Sequence, residues 1–231
     1  VKSFLRNSGH CVLGFLLVGL LVANAVAADP NAPIDVADYD GVIRVACVGD
    51  SITAGVGAAR GKSYPAQLGQ LLGDRWEVRN FGNSGSTLLN KGNKPYQKQK
   101  QFSGALAYNP QVVIIMLGTN DTKPSNWKLK DQFVADYLDL LGHFSKLEAK
   151  PRIFVCYAVP VPGKGNFGIN EAGVQEQRPM IAKIAKQAEI GVIDMHAALA
   201  DRPETLPDRV HPNTEGAGLM AKAAHAVLTG K

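Results

Sequence analysis

The strongest constraint on the fold of this chain is an alternation. Short, mainly apolar runs at residues 42–48, 76–81, 112–117, 153–157 and 192–194 read as strands. Between them lie stretches with apolar residues at helical spacing. These are 64–72, 127–147, 171–190 (with an irregularity expected at Pro179) and 214–228. In 127–147 the residues Phe133, Val134, Tyr137, Leu138, Leu141 and Phe144 fall on one side. Strands separated by helices form βαβ units and a parallel sheet, and strands apolar along their length are covered on both faces. Two polar, irregular segments interrupt the pattern, at 84–100 and 159–173. Both follow strand ends, and in an open α/β sheet ligands bind beyond the carboxyl ends of the strands.

The chain has 231 residues, of which 45% are hydrophobic and 19% charged, enough for a sizeable core. Residues 1–28 read as an export signal rather than as part of the fold. Lys2 and Arg6 open it, an apolar stretch occupies 11–22, and Ala25-Val26-Ala27 is a small-x-small cleavage motif. The apolar stretch is short for a membrane span; an uncleaved N-terminal anchor is the alternative reading, and with the signal removed no stable membrane contact is expected. Residues 29–40, with Pro30 and Pro33, read as a linker, and 41–231 as the folded domain. The whole chain carries +5; removing Lys2 and Arg6, with no acid between them, leaves +3. So mild and evenly spread a charge argues against a nucleic-acid partner. No Cys/His cluster has metal-ligand spacing.

Function is to be sought where the first strand stops, at Gly49-Asp50-Ser51-Ile52-Thr53. Gly-Asp-Ser alone arises by chance in roughly one chain of this length in twenty. Its place at a strand end is the stronger signal, because a turn there can present the Ser51 hydroxyl. A serine needs a base to take its proton. His10 falls in the export signal, and His143 and His225 lie within helices, where the plainer reading is packing or surface. His196 follows Asp194, which reads more simply as a cap on the next turn. His211 lies in Leu206-Pro207-Asp208-Arg209-Val210-His211-Pro212-Asn213, stiffened by two prolines before a helix that Asn213 or Thr214 can cap. Three residues of curved loop bring the Asp208 carboxylate back to the imidazole Nδ1 and leave Nε2 for the serine. Acyl transfer also requires donors for an oxyanion. Asn80-Phe81-Gly82-Asn83-Ser84-Gly85-Ser86-Thr87 and Leu117-Gly118-Thr119-Asn120-Asp121 each follow a strand and can supply them.

Together these stretches resemble the SGNH, or GDSL-type, hydrolase family, whose Ser, Gly, Asn and His blocks match Ser51, Gly85, Asn120 and His211 in order over about residues 42–229. Ile52 stands where the family name has Leu. The resemblance implies a flavodoxin-like three-layer α/β/α fold with a five-stranded parallel sheet in the order 2-1-3-4-5. It implies a triad of Ser51, His211 and Asp208, an oxyanion hole of the Ser51 and Gly85 backbone N–H groups and the Asn120 amide, and no metal or organic cofactor. In that order Cys47 and Cys156 sit on strands that are not neighbours, so two buried free thiols are expected rather than a disulfide.

The substrate is less legible. The chain has no apolar insertion long enough for a lid or acyl tunnel, and aromatics make up only 7% of it. The polar stretch Lys91-Gly92-Asn93-Lys94-Pro95-Tyr96-Gln97-Lys98 offers Tyr96 to stack on a sugar ring; its plainer reading is a loop anchor. Trp127 is a second stacking candidate, with helix-start packing as the preferred alternative. Lys94-Pro95-Tyr96 and Asn120-Asp121-Thr122-Lys123-Pro124-Ser125-Asn126-Trp127 also resemble a bacterial branch of sialate or xylan O-acetylesterases. The leading expectation is an exported, periplasmic or extracellular esterase acting on acetylated carbohydrate. The alternatives are a broad arylesterase, lysophospholipase or thioesterase, and a glycan-binding protein with a vestigial site.

Overall fold

The computed structural model describes residues 29–231; the expected export signal lies outside them. Five strands, β1 (Ile43–Gly49), β2 (Trp76–Gly82), β3 (Val112–Met116), β4 (Arg152–Tyr157) and β5 (Gly191–Asp194), form one sheet. Every pairing is parallel and the order is β2-β1-β3-β4-β5, as expected. Eight helices are described: α1 (Ser51–Ala54), α2 (Tyr64–Leu72), α3 (Lys100–Ala107), α4 (Pro124–Trp127), α5 (Phe133–Ser145), α6 (Glu171–Ala188), α7 (Met195–Leu199) and α8 (Thr214–Thr229).

The pleat sorts each strand's side chains onto two faces. Ile43, Val45, Cys47, Ile114, Met116, Phe154 and Ile193 point one way and pack with Tyr64 and Leu68 of α2 and with Met220 and Leu228 of α8. Val48, Val113, Ile115 and Val155 point the other way, against Phe102 of α3, Phe133 and Tyr137 of α5 and Ile181 of α6. Both faces being covered is why the central strands β1, β3 and β4 are almost wholly apolar, while β2, at the edge of the sheet, carries Glu77, Arg79 and Asn80. Cys47 and Cys156 are buried and free, as expected, on the same face but with β3 between their strands.

Three elements differ from the sequence expectation. The single helix expected over 127–147 is divided: α4 ends at Trp127, a 3-10 turn follows at Lys130–Gln132, and α5 starts at Phe133. Leu129 and Phe133 stand four residues apart across the break, a helical spacing that conceals the join, and the Trp127 ring packs edge-on against Phe133 at 5.5 Å. Helix α3 was not anticipated; it buries only Phe102 and Ala105, too few for a periodic signal. Helix α6 is assigned without interruption through Pro179, although that residue has no N–H for the carbonyl of Gln175.

Residues 29–40, read above as a linker, run along the edge where β4 and β5 begin. Arg152 donates to the carbonyls of Pro30 and Ala32 at 2.9 and 2.7 Å. The Ile34 N–H donates to the carbonyl of Leu228, near the end of α8, at 2.8 Å. Among the described residues no helix is long and apolar enough to cross a membrane.

Candidate active site

All five strands run the same way, so their carboxyl ends share one edge, and the segments that follow all five converge there. β1 ends at Gly49, where no side chain fits: a Cβ would lie 2.1 Å from Thr53 Oγ1 and 2.7 Å from the carbonyl oxygen of Met116. That close approach lets the chain turn at once into α1. Asp50 caps the helix, its Oδ1 accepting from the Ile52 N–H at 2.9 Å, and Ser51 occupies the first helical position.

Ser51 Oγ lies 2.9 Å from His211 Nε2, although 160 residues separate them in sequence. His211 Nδ1 lies 2.7 Å from Asp208 Oδ2. The other Asp208 oxygen accepts from the backbone N–H groups of Val210 and His211, at 3.0 and 2.7 Å. Burial works to raise the Asp208 pKa; these N–H groups and the imidazole outweigh it and hold the carboxyl below its ordinary value. An ionised carboxylate only accepts hydrogen bonds, so Nδ1 carries the imidazole proton and Nε2 is left to accept from the serine. Asn213 caps α8, accepting from the Gly216 N–H at 2.9 Å, which fixes the chain just beyond the histidine.

Facing Ser51 are the turns after β2 and β3. Gly85 has φ +78°, a conformation glycine adopts freely, and its N–H has no acceptor among the described residues. Asn120 is 4% exposed. Its amide is already engaged twice, by Asp50 Oδ2 at 3.2 Å and by the Ser86 carbonyl at 3.1 Å. Its turn is braced from behind: Gln177 donates to the Gly118 carbonyl at 2.7 Å, and Asn126 to the Asn120 carbonyl at 2.9 Å. Ser51, Gly85, Asn120 and His211 line one cleft of about 270 Å³, with Lys123 and Phe167 also on its walls.

Of the other residues singled out in the sequence, Tyr96 does not reach the cleft. Its side chain is fully buried, its hydroxyl donates to the Phe81 carbonyl at 2.7 Å, and its ring packs edge-on to Phe102. It anchors the loop and has no free face for a sugar, which corrects the stacking expectation. Trp127 lines a separate surface groove and donates from Nε1 to Glu176 at 2.6 Å. His196 pairs with Glu171 at 2.6 Å, while Asp194 caps α7 through the Ala197 N–H. The His143 ring packs against Phe102.

The cleft contains an aromatic residue that sequence reasoning passed over. Phe167 is 54% exposed, has φ +54°, and places its ring centroid 5.6 Å from that of His211. Asn166 steadies this corner by donating to the Asp208 carbonyl at 3.1 Å. The available signal was an aromatic in Gly165-Asn166-Phe167-Gly168, within a segment already assigned to the carboxyl edge.

Two buried acids stand beneath the site. Burial pushes Asp50 up to about 6, against the pull of the Ile52 N–H, the Lys123 ammonium and the Asn120 amide. Burial also pushes Asp121 up to about 7, although it accepts from the N–H groups of Leu89 and Leu88 at 2.8 and 2.9 Å. For both acids the folded value lies above the unfolded one of about 3.9. The stabilisation from their bound protons is therefore full below about pH 4 and is lost as pH rises through about 6 and about 7. The thermal midpoint is expected to fall from about pH 5 to about pH 8, and Asp121→Asn to flatten the fall. Calorimetry across that range checks it; a midpoint that does not fall would mean that both acids are already ionised at the lower pH.

A profile of the GDSL-like lipase/acylhydrolase family matches residues 47–219. An acetylxylan esterase from Xylanibacter ruminicola is 38% identical over 214 residues, covering 83% of this chain and 44% of that protein. A multidomain esterase from Ruminococcus flavefaciens is 24% identical over 96% of this chain and 32% of that protein. The chain thus spans less than half the length of these curated relatives. Among solved structures, a carbohydrate acetylesterase family member from Sinorhizobium meliloti superposes with a TM-score of 0.69 at 20% identity, over 81% of this chain and 97% of that one.

Proposed function

Because the chain belongs to the GDSL-like lipase/acylhydrolase family, we propose that it is a serine carboxylic-ester hydrolase that removes acetyl groups from carbohydrate. The observation that carries this reading is the unbroken line of hydrogen bonds from Asp208 through His211 to Ser51, opening on a small cleft. Ser51 Oγ attacks the ester carbonyl carbon as its proton passes to His211 Nε2, giving a tetrahedral oxyanion. Asp208 holds the tautomer and stabilises the imidazolium. The Ser51 and Gly85 N–H groups and the Asn120 amide are the oxyanion donors. The Asn120 bonds to Asp50 and Ser86, at 3.2 and 3.1 Å, are long enough for a charged oxygen to compete for one of these hydrogens. On collapse the C–O bond to the alcohol breaks and the imidazolium gives that oxygen its proton. Water then attacks the acyl-serine with His211 as base, releasing acetate and restoring Ser51.

The size of the cleft and the resemblance to an acetylxylan esterase support the choice of acyl group and alcohol. A volume of about 270 Å³ falls below the usual range for sites that enclose a drug-sized ligand, and suits an acetyl group with the first sugar at its mouth. The exposed Phe167 ring beside His211 lies where the leaving alcohol departs and offers it an apolar face. Export through residues 1–28 would bring the enzyme to polysaccharide outside the cell; the basic start and the cleavage motif support it.

The test is acetate release from acetylated xylan and from O-acetylated sialic acid, beside p-nitrophenyl acetate and octanoate. Release from a glycan with a steep fall from acetate to octanoate is expected, and Phe167→Ala should raise KM for the glycan several-fold while sparing the nitrophenyl ester. A maximum at octanoate would replace the substrate with a longer-chain ester. Glycan binding without turnover would leave a binding protein with a vestigial site.

A further inference from the structure

The lysine-rich loop has a place in the site that its exposure conceals. Lys94 Nζ donates to the carbonyl of Ser84 at 2.8 Å. That carbonyl belongs to the same peptide group as the Gly85 N–H; Gly85 lines the cleft, and its N–H has no acceptor among the described residues. The lysine stem passes close above the glycine, since a Cβ built on Gly85 would lie 3.8 Å from Lys94 Cδ.

The backbone that carries Lys94 is held in register. Its carbonyl accepts from the Thr87 N–H at 2.8 Å, and the Tyr96 N–H donates to the Thr87 carbonyl at 2.8 Å. The buried Tyr96 ring pins the end of this short pairing. Among the described residues no carboxylate pairs with Lys94. Its charge is directed onto one peptide oxygen.

We infer that Lys94 is a positioning residue that acts through the Ser84–Gly85 peptide, orienting and polarising the Gly85 N–H as an oxyanion donor. The inference rests on the reading of Gly85 as part of the oxyanion hole. A cation on a peptide oxygen draws electron density from its nitrogen, so the N–H on the far side becomes a stronger donor. A negative oxygen feels this gain far more than the neutral ground-state carbonyl does, so the benefit falls on the transition state.

The experiment is steady-state kinetics on p-nitrophenyl acetate, a neutral ester with no glycan for the lysine to touch. Lys94→Met, Lys94→Gln and Lys94→Arg are compared with Ser51→Ala. Lys94→Met is expected to lower kcat on the order of 10-fold with KM little changed, and Lys94→Arg to restore most of it. Should Lys94→Met fail to fold, Lys94→Gln, one bond shorter than lysine but with a neutral donor, is expected to fall between the two. A loss confined to KM would make Lys94 a substrate contact and overturn the inference. So would unchanged kcat in Lys94→Met and Lys94→Gln, or equal losses in all three variants. In either case an inactive Ser51→Ala would leave the hydrolase reading standing. Hydrolysis that survives Ser51→Ala would remove both.

Discussion

Ser51→Ala is expected to lower hydrolysis of p-nitrophenyl acetate by about 10⁴-fold or more while leaving the fold and substrate affinity nearly intact. The substitution deletes one oxygen at a position that is 9% exposed, whose only side-chain hydrogen bond among the described residues is to His211. Little stability is at stake, so the thermal midpoint should stay within a few degrees of wild type. What disappears is the atom to be acylated, leaving direct attack by water in a cleft that still offers donors to the oxyanion. Burst kinetics would report the loss most directly, because the acyl-serine cannot form. A purified variant that keeps a tenth of its activity would place the nucleophile elsewhere.

Asp208→Asn is expected to lower kcat by about 10³- to 10⁴-fold, for a different reason. One Asp208 oxygen accepts from the Val210 and His211 backbone N–H groups, and the other meets His211 Nδ1. An asparagine would keep its oxygen on the two N–H groups, since an NH₂ there would oppose two donors. Its NH₂ then faces Nδ1 and donates to it. The imidazole proton moves to Nε2, the atom that must receive the Ser51 proton. The residue is nearly the same shape and the backbone bonds survive, so stability should change little. Observation of Nε2–H by NMR alongside the loss of rate would tie the effect to the tautomer. A loss of less than 10-fold would mean that Asp208 merely shapes the loop.

Much of this was legible in the sequence because the signals were local. Strands of a doubly covered sheet are apolar throughout, so β1, β3 and β4 stand out. The spacing of Asp208 from His211 lies within one loop and follows from three residues of curvature. The misreadings have a common cause in contacts made far along the chain. Tyr96 sits among Lys94, Gln97 and Lys98 and reads as exposed; it is buried by Phe102 and by the carbonyl of Phe81, which is on β2. Asn120 is expected to offer its amide to an oxyanion; what the sequence does not show is that Asp50 and Ser86 already hold that amide, from turns 70 and 34 residues away. Phe167 reads as loop filler until the fold brings His211 beneath it.

The bond between the Ile34 N–H and the Leu228 carbonyl has a consequence for how such a unit can be carried. The two ends of the folded body meet there, beside the starts of the strands, while the cleft opens at their finish. Polypeptide added before or after it would enter and leave by one corner, with the length of the strands between that corner and the chemistry. The unit can therefore be spliced into a larger architecture much as a bead is threaded, with a neighbour on either side and its working face left clear.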